Sequence, residues 1–257
     1  MKATSIPRHE NSFFTNKTDA LGKEFFIEDK SISISNSSEV MDYVNCRRAD
    51  NDESFFYDDP QQKTQIVIHF TAGYLKGDIA TLTTPGNHVS VPFILARNGS
   101  ILNMWSSRLW SYHLGPGAIG GNTAGSKRTI AIEVSNIGYL KKLGNNLVSA
   151  YSDSDVYCTL DETGFYQQLD VPYREHSYYA TFTNAQYNSL IVLLRYLTAQ
   201  YDIPREFLPE NKRYVTGSAT EIPNFRGIVS HVNYRETGKW DFGPAFDWNR
   251  IITGVQA

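Results

Sequence analysis

Cysteine is nearly absent from this sequence, since only Cys46 and Cys158 occur among 257 residues. The two are far apart and form no C-x-x-C pattern, which excludes the usual cysteine-based redox and metal motifs. We predict two buried free thiols, with a single disulfide between them as the alternative.

An excess of positive charge is also missing. The chain has 24 Lys and Arg against 27 Asp and Glu, a formal net charge of -3. Its pI is about 6.1. Proteins that hold a polyanion by counterion release need a basic face. Nucleic acid is therefore excluded as an expected partner.

Long hydrophobic runs are missing as well. No run approaches the roughly 18 apolar residues that span a bilayer, and the start, MKATSIPRHENSFF, has no apolar signal-peptide core. We expect no membrane span and no Sec signal. The expected location is the cytoplasm as synthesised. The alternatives are export by a non-Sec route, to act in the periplasm or on the cell wall, or a trimmed sequence.

Short apolar runs alternate with helical patterns along the rest of the chain. Buried strands are predicted by TQIVIHF, RTIAIEVSN and GIVSHV. A hairpin with its turn at Asn98-Gly99 is predicted by VSVPFILARNGSILNMW. Helices are predicted for GDIATLTTPG, for TNAQYNSLIVLLRYLTAQYDIP with a Thr183–Gln186 capping box, and for PAFDWNRIITG. The fold class is α/β, with a mixed central β-sheet flanked by helices.

Two segments are expected to lie outside this pattern. Residues 1–60 are polar and rich in Ser, Asn and Asp, and we predict an irregular N-terminal extension with little core of its own. Residues 61–257 form the predicted domain. Within it, residues 137–182 show weak periodicity and are predicted to be an insertion, with room for one hairpin.

Two histidines end buried strands in the same way. His69 closes IVIH and His231 closes GIVSH, so the two can meet at one edge of a sheet. Asp241 follows His231 by ten positions across a loop with Gly238. Two imidazoles and a carboxylate would leave one position open on a catalytic zinc ion. The alternatives are core histidines, each with one hydrogen bond, and a turn-capping aspartate.

Glu133 stands among apolar residues in the buried strand TIAIEVS. A carboxylate there is costly unless it is paired or close to a metal, and burial would raise its pKa. A general base fits that description, and a structural ion pair is the alternative. Lys239, two residues before Asp241, is a candidate to stabilise an oxyanion, or else a solvated charge. His113, in WSYHLGPG, is a weaker candidate to line a groove.

The order of these motifs resembles the zinc-dependent N-acetylmuramoyl-L-alanine amidases, the family related to peptidoglycan recognition proteins. The resemblance runs from IVIHFTAG, through the N-G hairpin, WSYHLG and IAIEVSN, to SHVNYRETGKWDFGPAFDW, over roughly residues 64–252. The proline that usually follows the aspartate is Phe242 here. Pro92 stands in place of a histidine before the hairpin.

The resemblance implies a role for each candidate residue. The ligands of one zinc ion would be His69, His231 and Asp241. Glu133 would be the catalytic acidic residue, Lys239 would be the catalytic lysine of the family pattern, and His113 would bind substrate. The implied reaction is hydrolysis of the amide between N-acetylmuramic acid and L-alanine in peptidoglycan or muropeptides.

The biological role is open between several alternatives. The first is a cell-wall lytic enzyme or an exported antibacterial effector, which would imply an immunity or inhibitor protein and an export machinery as partners. The others are a cytosolic muropeptide-recycling amidase, a module that binds muropeptide without cutting it, and a zinc hydrolase acting on another amide. A complete ligand set argues against the binding module.

Overall fold

The computed structural model describes residues 1–257 and contains twelve strands and six α-helices. The strands are β1 (Phe25–Ser33), β2 (Val40–Arg48), β3 (Gln65–Phe70), β4 (Phe93–Leu95), β5 (Ile101–Asn103), β6 (Thr129–Val134), β7 (Tyr139–Leu143), β8 (Asn146–Ser149), β9 (Val156–Thr159), β10 (Tyr166–Tyr173), β11 (His176–Ala180) and β12 (Gly227–Ser230). The helices are α1 (Ile6–Asn16), α2 (Leu75–Leu82), α3 (Asn122–Arg128), α4 (Asn184–Tyr201), α5 (Glu210–Arg213) and α6 (Trp248–Gln256).

A seven-stranded mixed sheet forms the centre of the molecule, in the order β1-β2-β5-β4-β6-β3-β12. Strand β3 is parallel to β6 on one side and to β12 on the other. The pairs β1–β2 and β4–β5 are antiparallel. This confirms the predicted mixed α/β class. The parallel neighbours β6, β3 and β12 are formed by the apolar runs that were predicted to be buried strands.

Side chains of the central strands alternate between the two faces of the sheet because successive residues of a strand point to opposite sides. Ile68 and Ile132 pack with residues of α4 and α6 on one face. Ala131 packs with residues of α1 and α2 on the other. His69 and Glu133 each follow a residue of the α4 face, so they point to the opposite face. Covering both faces explains why β3, β6 and β12 read as continuous apolar runs.

The local predictions for the hairpin and for the long helix are confirmed. Gly99 has a φ of +92°, the left-handed conformation that glycine adopts without strain, in the turn between β4 and β5. The hydroxyl of Thr183 accepts from the Gln186 amide, and the Gln186 side chain accepts from the Thr183 amide, which completes the capping box of α4.

The prediction of an irregular extension over residues 1–60 is wrong in its secondary structure. That segment forms α1, β1 and β2, and β2 adds to the central sheet by parallel pairing of Val44 with Leu102. It read as irregular because the two strands lie at the edge of the sheet, where one side of each strand is exposed and polar. No α-helix of the molecule is long and apolar enough to cross a bilayer.

The insertion is more ordered than a single hairpin. Strands β7 to β11 form a separate antiparallel sheet in the order β10-β11-β7-β8-β9. Leu140, Leu147 and Tyr157 of this sheet share a hydrophobic cluster with Ala3 and Ile6 of the N-terminal segment. Cys46 and Cys158 are both buried and free, as predicted.

Candidate metal centre

The carboxyl ends of three adjacent parallel strands bring the candidate residues together. His69 on β3 is the register partner of Glu133 on β6. On the other side, Ser230 pairs with Ile68, so His231 follows directly beside His69. Ligands of open α/β sheets bind at this edge of the strands. Sheet order thus explains why residues far apart in sequence converge here.

His69, His231 and Asp241 form a buried cluster whose ligand atoms all lie within 4.8 Å of one another. The Nδ1 atoms of the two histidines are 2.7 Å apart. Oδ2 of Asp241 lies 3.5 Å from Nδ1 of His69 and 3.4 Å from Nδ1 of His231. Two imidazoles and one carboxylate whose ligand atoms lie this close together are a set that a divalent transition metal prefers.

The far nitrogens of both histidines are held by protein atoms. Nε2 of His231 lies 2.9 Å from the carbonyl oxygen of Leu114, to which only a protonated nitrogen can donate. Nε2 of His69 lies 3.1 Å from Nδ1 of His113. With Nε2 protonated in both rings, each Nδ1 keeps its lone pair for the metal, and a hydrogen bond from the far nitrogen usually orients a metal-binding histidine in this way. The residues therefore fit one bound metal ion.

His113 is half-buried and lies against His69. Its Nε2 is 2.7 Å from the hydroxyl oxygen of Thr129, and that hydroxyl donates to the carbonyl of Gly125 at 2.8 Å. Both ring nitrogens of His113 thus contact protein atoms, which differs from the substrate contact that the sequence suggested. Substrate binding by His113 stays a prediction, and its observed contact is with Nε2 of His69.

Electrostatics of the cluster follow from burial and from mutual charges. Burial, and then the neighbouring His231, lower the pKa of His69 to about 3. Burial alone would raise the pKa of Asp241, but the charges and hydrogen bonds of His231 and His69 outweigh it, and the net direction is down. Burial thus favours the neutral imidazole of His69, and the neighbouring histidines favour the carboxylate of Asp241. These are the forms in which the two residues bind metals.

Glu133 is next to the cluster and has no partner of its own. Its Oε2 is shielded from solvent and makes no hydrogen bond. Burial raises the pKa of Glu133 well above its usual value, Asp241 raises it further, and the charge of Lys239 opposes both. The predicted alternative of a structural ion pair does not occur. An unpartnered carboxylate with a raised pKa beside a metal cluster is typical of a catalytic base.

A small cavity gives access to Glu133. It has a volume of about 190 Å³ and is lined by Thr71, Asp78, Thr81, Leu82 and Glu133. Asp78 is a buried carboxylate that sequence reasoning treated only as a helix residue. Burial raises the pKa of Asp78 to about 7 although Thr71 and Ser135 donate hydrogen bonds to it. No short motif signals this residue, because α2 reaches the sheet only through tertiary packing.

Fold and cluster together define a mixed α/β protein with a site for one metal ion at the carboxyl edge of its sheet. Residues 59–244, more than half of the chain, match the family model described as N-acetylmuramoyl-L-alanine amidase, and the chain belongs to that family.

One relative is similar to this chain in sequence, and its solved complex shares the fold. The chain is 25% identical over 191 residues to N-acetylmuramoyl-L-alanine amidase AmiD of Escherichia coli (strain K12). The match covers 72% of this chain and 51% of AmiD, so the chain spans about half the length of that relative. A solved complex of Escherichia coli AmiD with anhydro-N-acetylmuramic acid-L-Ala-D-gamma-Glu-L-Lys shares the fold. Its TM-score is 0.50 at 21% identity, with 77% of this chain and 59% of that chain covered.

Proposed function

We propose that this chain is a zinc-dependent N-acetylmuramoyl-L-alanine amidase that hydrolyses the amide between N-acetylmuramic acid and L-alanine. The observation that carries the proposal is the buried cluster of His69, His231 and Asp241 beside the unpartnered Oε2 of Glu133. Membership of the family supports the reaction. The substrate class is also that of the AmiD complex.

The proposed mechanism assigns one task to each residue. His69, His231 and Asp241 would hold zinc, which when bound supplies an electrophile that activates water and polarises the amide carbonyl. Glu133 accepts a proton from the attacking water through its free Oε2 and then gives it to the leaving amine of L-alanine. The ammonium of Lys239 stabilises the oxyanion of the tetrahedral intermediate.

The electrostatics of the cluster support this role of Lys239. It is partly buried, and its charge affects the pKa of His69, His113 and Glu133. A cation with this influence would favour the negative charge that develops on the tetrahedral intermediate. The two imidazoles and the carboxylate would suit zinc, which catalytic sites usually hold with three such ligands.

The test is hydrolysis of purified peptidoglycan and of soluble muropeptides by the zinc-loaded protein. New L-alanine amino termini and free stem peptides, identified by mass spectrometry, are the expected products. Glu133→Gln should release these products about 10²- to 10⁴-fold more slowly, while binding zinc as the parent does. Stoichiometric zinc without any stem peptide from either substrate would overturn the amidase proposal. It would leave a muropeptide-binding module or a hydrolase of another amide.

We propose that the biological role is lysis of the cell wall, as a lytic enzyme or as an exported antibacterial effector. The support is that the N-terminal segment and the inserted sheet both exceed what cutting a small fragment requires. Cleavage of intact sacculi is the expected result. Cleavage of small muropeptides alone would instead favour recycling. An immunity or inhibitor protein and an export machinery are partners only under the effector role.

A further inference from the structure

The loop between His231 and Asp241 is anchored at its two ends but not in its middle. The Val232 amide donates to the Asp241 carbonyl at 2.9 Å, which closes the loop. Phe242 is buried in the main core, with its ring 4.4 Å from the ring of Phe246. Residues 236–240 make no backbone–backbone hydrogen bond. Asp241 is therefore fixed from the core side, whereas the segment that carries Lys239 is not.

The inserted sheet supplies the missing contacts to this middle segment. The Arg174 guanidinium, at the turn between β10 and β11, donates to the carbonyl of Glu236. Tyr139 of β7 and His176 of β11 stack on each other with ring centroids 3.6 Å apart. The Trp240 ring lies 4.8 Å from the ring of Tyr139 and 6.0 Å from that of His176.

A third contact lies just beyond Asp241. The Tyr173 ring packs so closely on Gly243 that a Cβ at that position would come within 2.4 Å of the ring. The Tyr173 hydroxyl donates to the carbonyl of Tyr214 at 3.2 Å, which holds the ring in place. The inserted sheet thus contacts the loop before, beside and after Lys239.

We propose that the inserted sheet braces this loop, and that Tyr139, His176 and Arg174 are positioning residues for Lys239. The inference rests on the proposed function, in which Lys239 stabilises the oxyanion. A lysine has a long flexible side chain, so its contribution to a transition state depends on a fixed backbone below it. Trp240, next in sequence, transmits the contact from the aromatic pair to that backbone.

If the inserted sheet braces this loop, losing the contact should change kcat but not zinc affinity or KM. Loss of the aromatic contact frees Lys239 but leaves His69, His231 and the core-anchored Asp241 in place. Zinc affinity and KM should therefore change little, while kcat falls. A general loss of stability would instead lower the fraction of folded protein and leave the kcat of each folded molecule unchanged.

The experiment compares Tyr139→Ala and Arg174→Ala with the ring-preserving Tyr139→Phe. The control is Val171→Ala, which alters an exposed side chain of the same sheet. Zinc-loaded proteins are digested with trypsin, which cuts after Arg235 and Lys239 in the loop. They are also assayed for zinc Kd, kcat and KM on muropeptide. Arg174→Ala keeps the test valid if Tyr139→Ala misfolds, because it removes only a partly exposed side chain.

We expect both alanine variants to be cut in the loop about 10-fold faster, because cleavage follows the population of the open segment. We expect their kcat to fall by about 10- to 100-fold, the usual cost of displacing a catalytic group by roughly 1 Å. Zinc Kd and KM should stay within about threefold. Tyr139→Phe and Val171→Ala should match the parent in every measurement.

Loop cleavage and kcat within twofold of the parent in both alanine variants would overturn the brace. Faster cleavage with unchanged kcat in an active enzyme would equally overturn the positioning of Lys239. Should the parent cut no muropeptide at all, the trypsin result still decides whether the sheet holds the loop. In that case the failure belongs to the proposed function and not to the contact.

Discussion

Removal of the His113 imidazole tests how the metal centre is built. His69 can bind metal through Nδ1 only if its proton sits on Nε2, and that N–H then donates to Nδ1 of His113 at 3.1 Å. Without metal, His69 can instead carry its proton on Nδ1, beside His231 and Asp241. The acceptor on His113 is therefore needed in the metal-bound state more than in the metal-free state.

The size of the effect follows from this difference. A buried donor left without an acceptor costs about 1–3 kcal/mol. Because about 1.4 kcal/mol corresponds to a factor of ten in affinity, His113→Ala should weaken zinc binding by about 10- to 100-fold. His113→Asn keeps an acceptor oxygen near the place of Nδ1 and should stay within about threefold of the parent. Competition with a chromophoric zinc chelator measures both constants.

His88→Ala is the matched control, because the His88 ring stacks on Tyr57 and does not contact the cluster. Its zinc Kd should equal that of the parent. A folded His113→Ala protein with an unchanged zinc Kd would refute the argument from tautomers. If the KM of that variant rose about tenfold at the same time, His113 would be the substrate contact that its sequence motif suggests.

Substitutions of Glu133, Asp78 and Phe242 test three further features of the molecule. Glu133→Gln should lower kcat by about 10²- to 10⁴-fold with zinc Kd unchanged, and kcat near the parent value would rule out its role as the base. Burial raises the pKa of Asp78 from 3.8 to about 7. The neutral carboxyl therefore stabilises the fold fully below pH 4, and this stabilisation is lost as the pH rises to 7. The free energy of unfolding of Asp78→Asn, measured in urea, should therefore rise by about 2–3 kcal/mol relative to that of the parent between pH 5 and pH 8. The same difference between variant and parent at both pH values would contradict this. Phe242→Ala should lower the free energy of unfolding by about 3–5 kcal/mol, and a loss below about 1 kcal/mol would show that the ring is dispensable.

The metal cluster could be predicted from local patterns because its histidines end apolar runs. A strand that ends at the carboxyl edge of a sheet presents its last side chain there. The apolar runs IVIH and GIVSH both end in a histidine. Which strands are neighbours is a non-local property. The pairing of Glu133 with His69 needed the sheet order β6-β3-β12, which no run of residues encodes by itself.

Side-chain direction explains the different outcome for His113. The sequence places this residue in a glycine-rich loop, where a histidine can face either solvent or protein. The structure turns both ring nitrogens inward, to His69 and to Thr129. A motif can identify a residue type near a site, but the orientation of the ring depends on hydrogen bonds across 44 and 16 residues of chain.

The two segments that look like additions in the sequence are packed against each other. Ala3 and Ile6 of the N-terminal segment bury their side chains against Leu140 and Leu147 of the inserted sheet. Glu10 of α1 accepts two contacts from the Arg97 amide, at 3.1 and 3.0 Å, and so fixes α1 to the end of β4. The inserted sheet is thereby held on one side by the N-terminal segment and reaches the Lys239 loop on the other. A rigid support of this kind is what the proposed brace requires, since a sheet that moved freely could not fix a catalytic lysine.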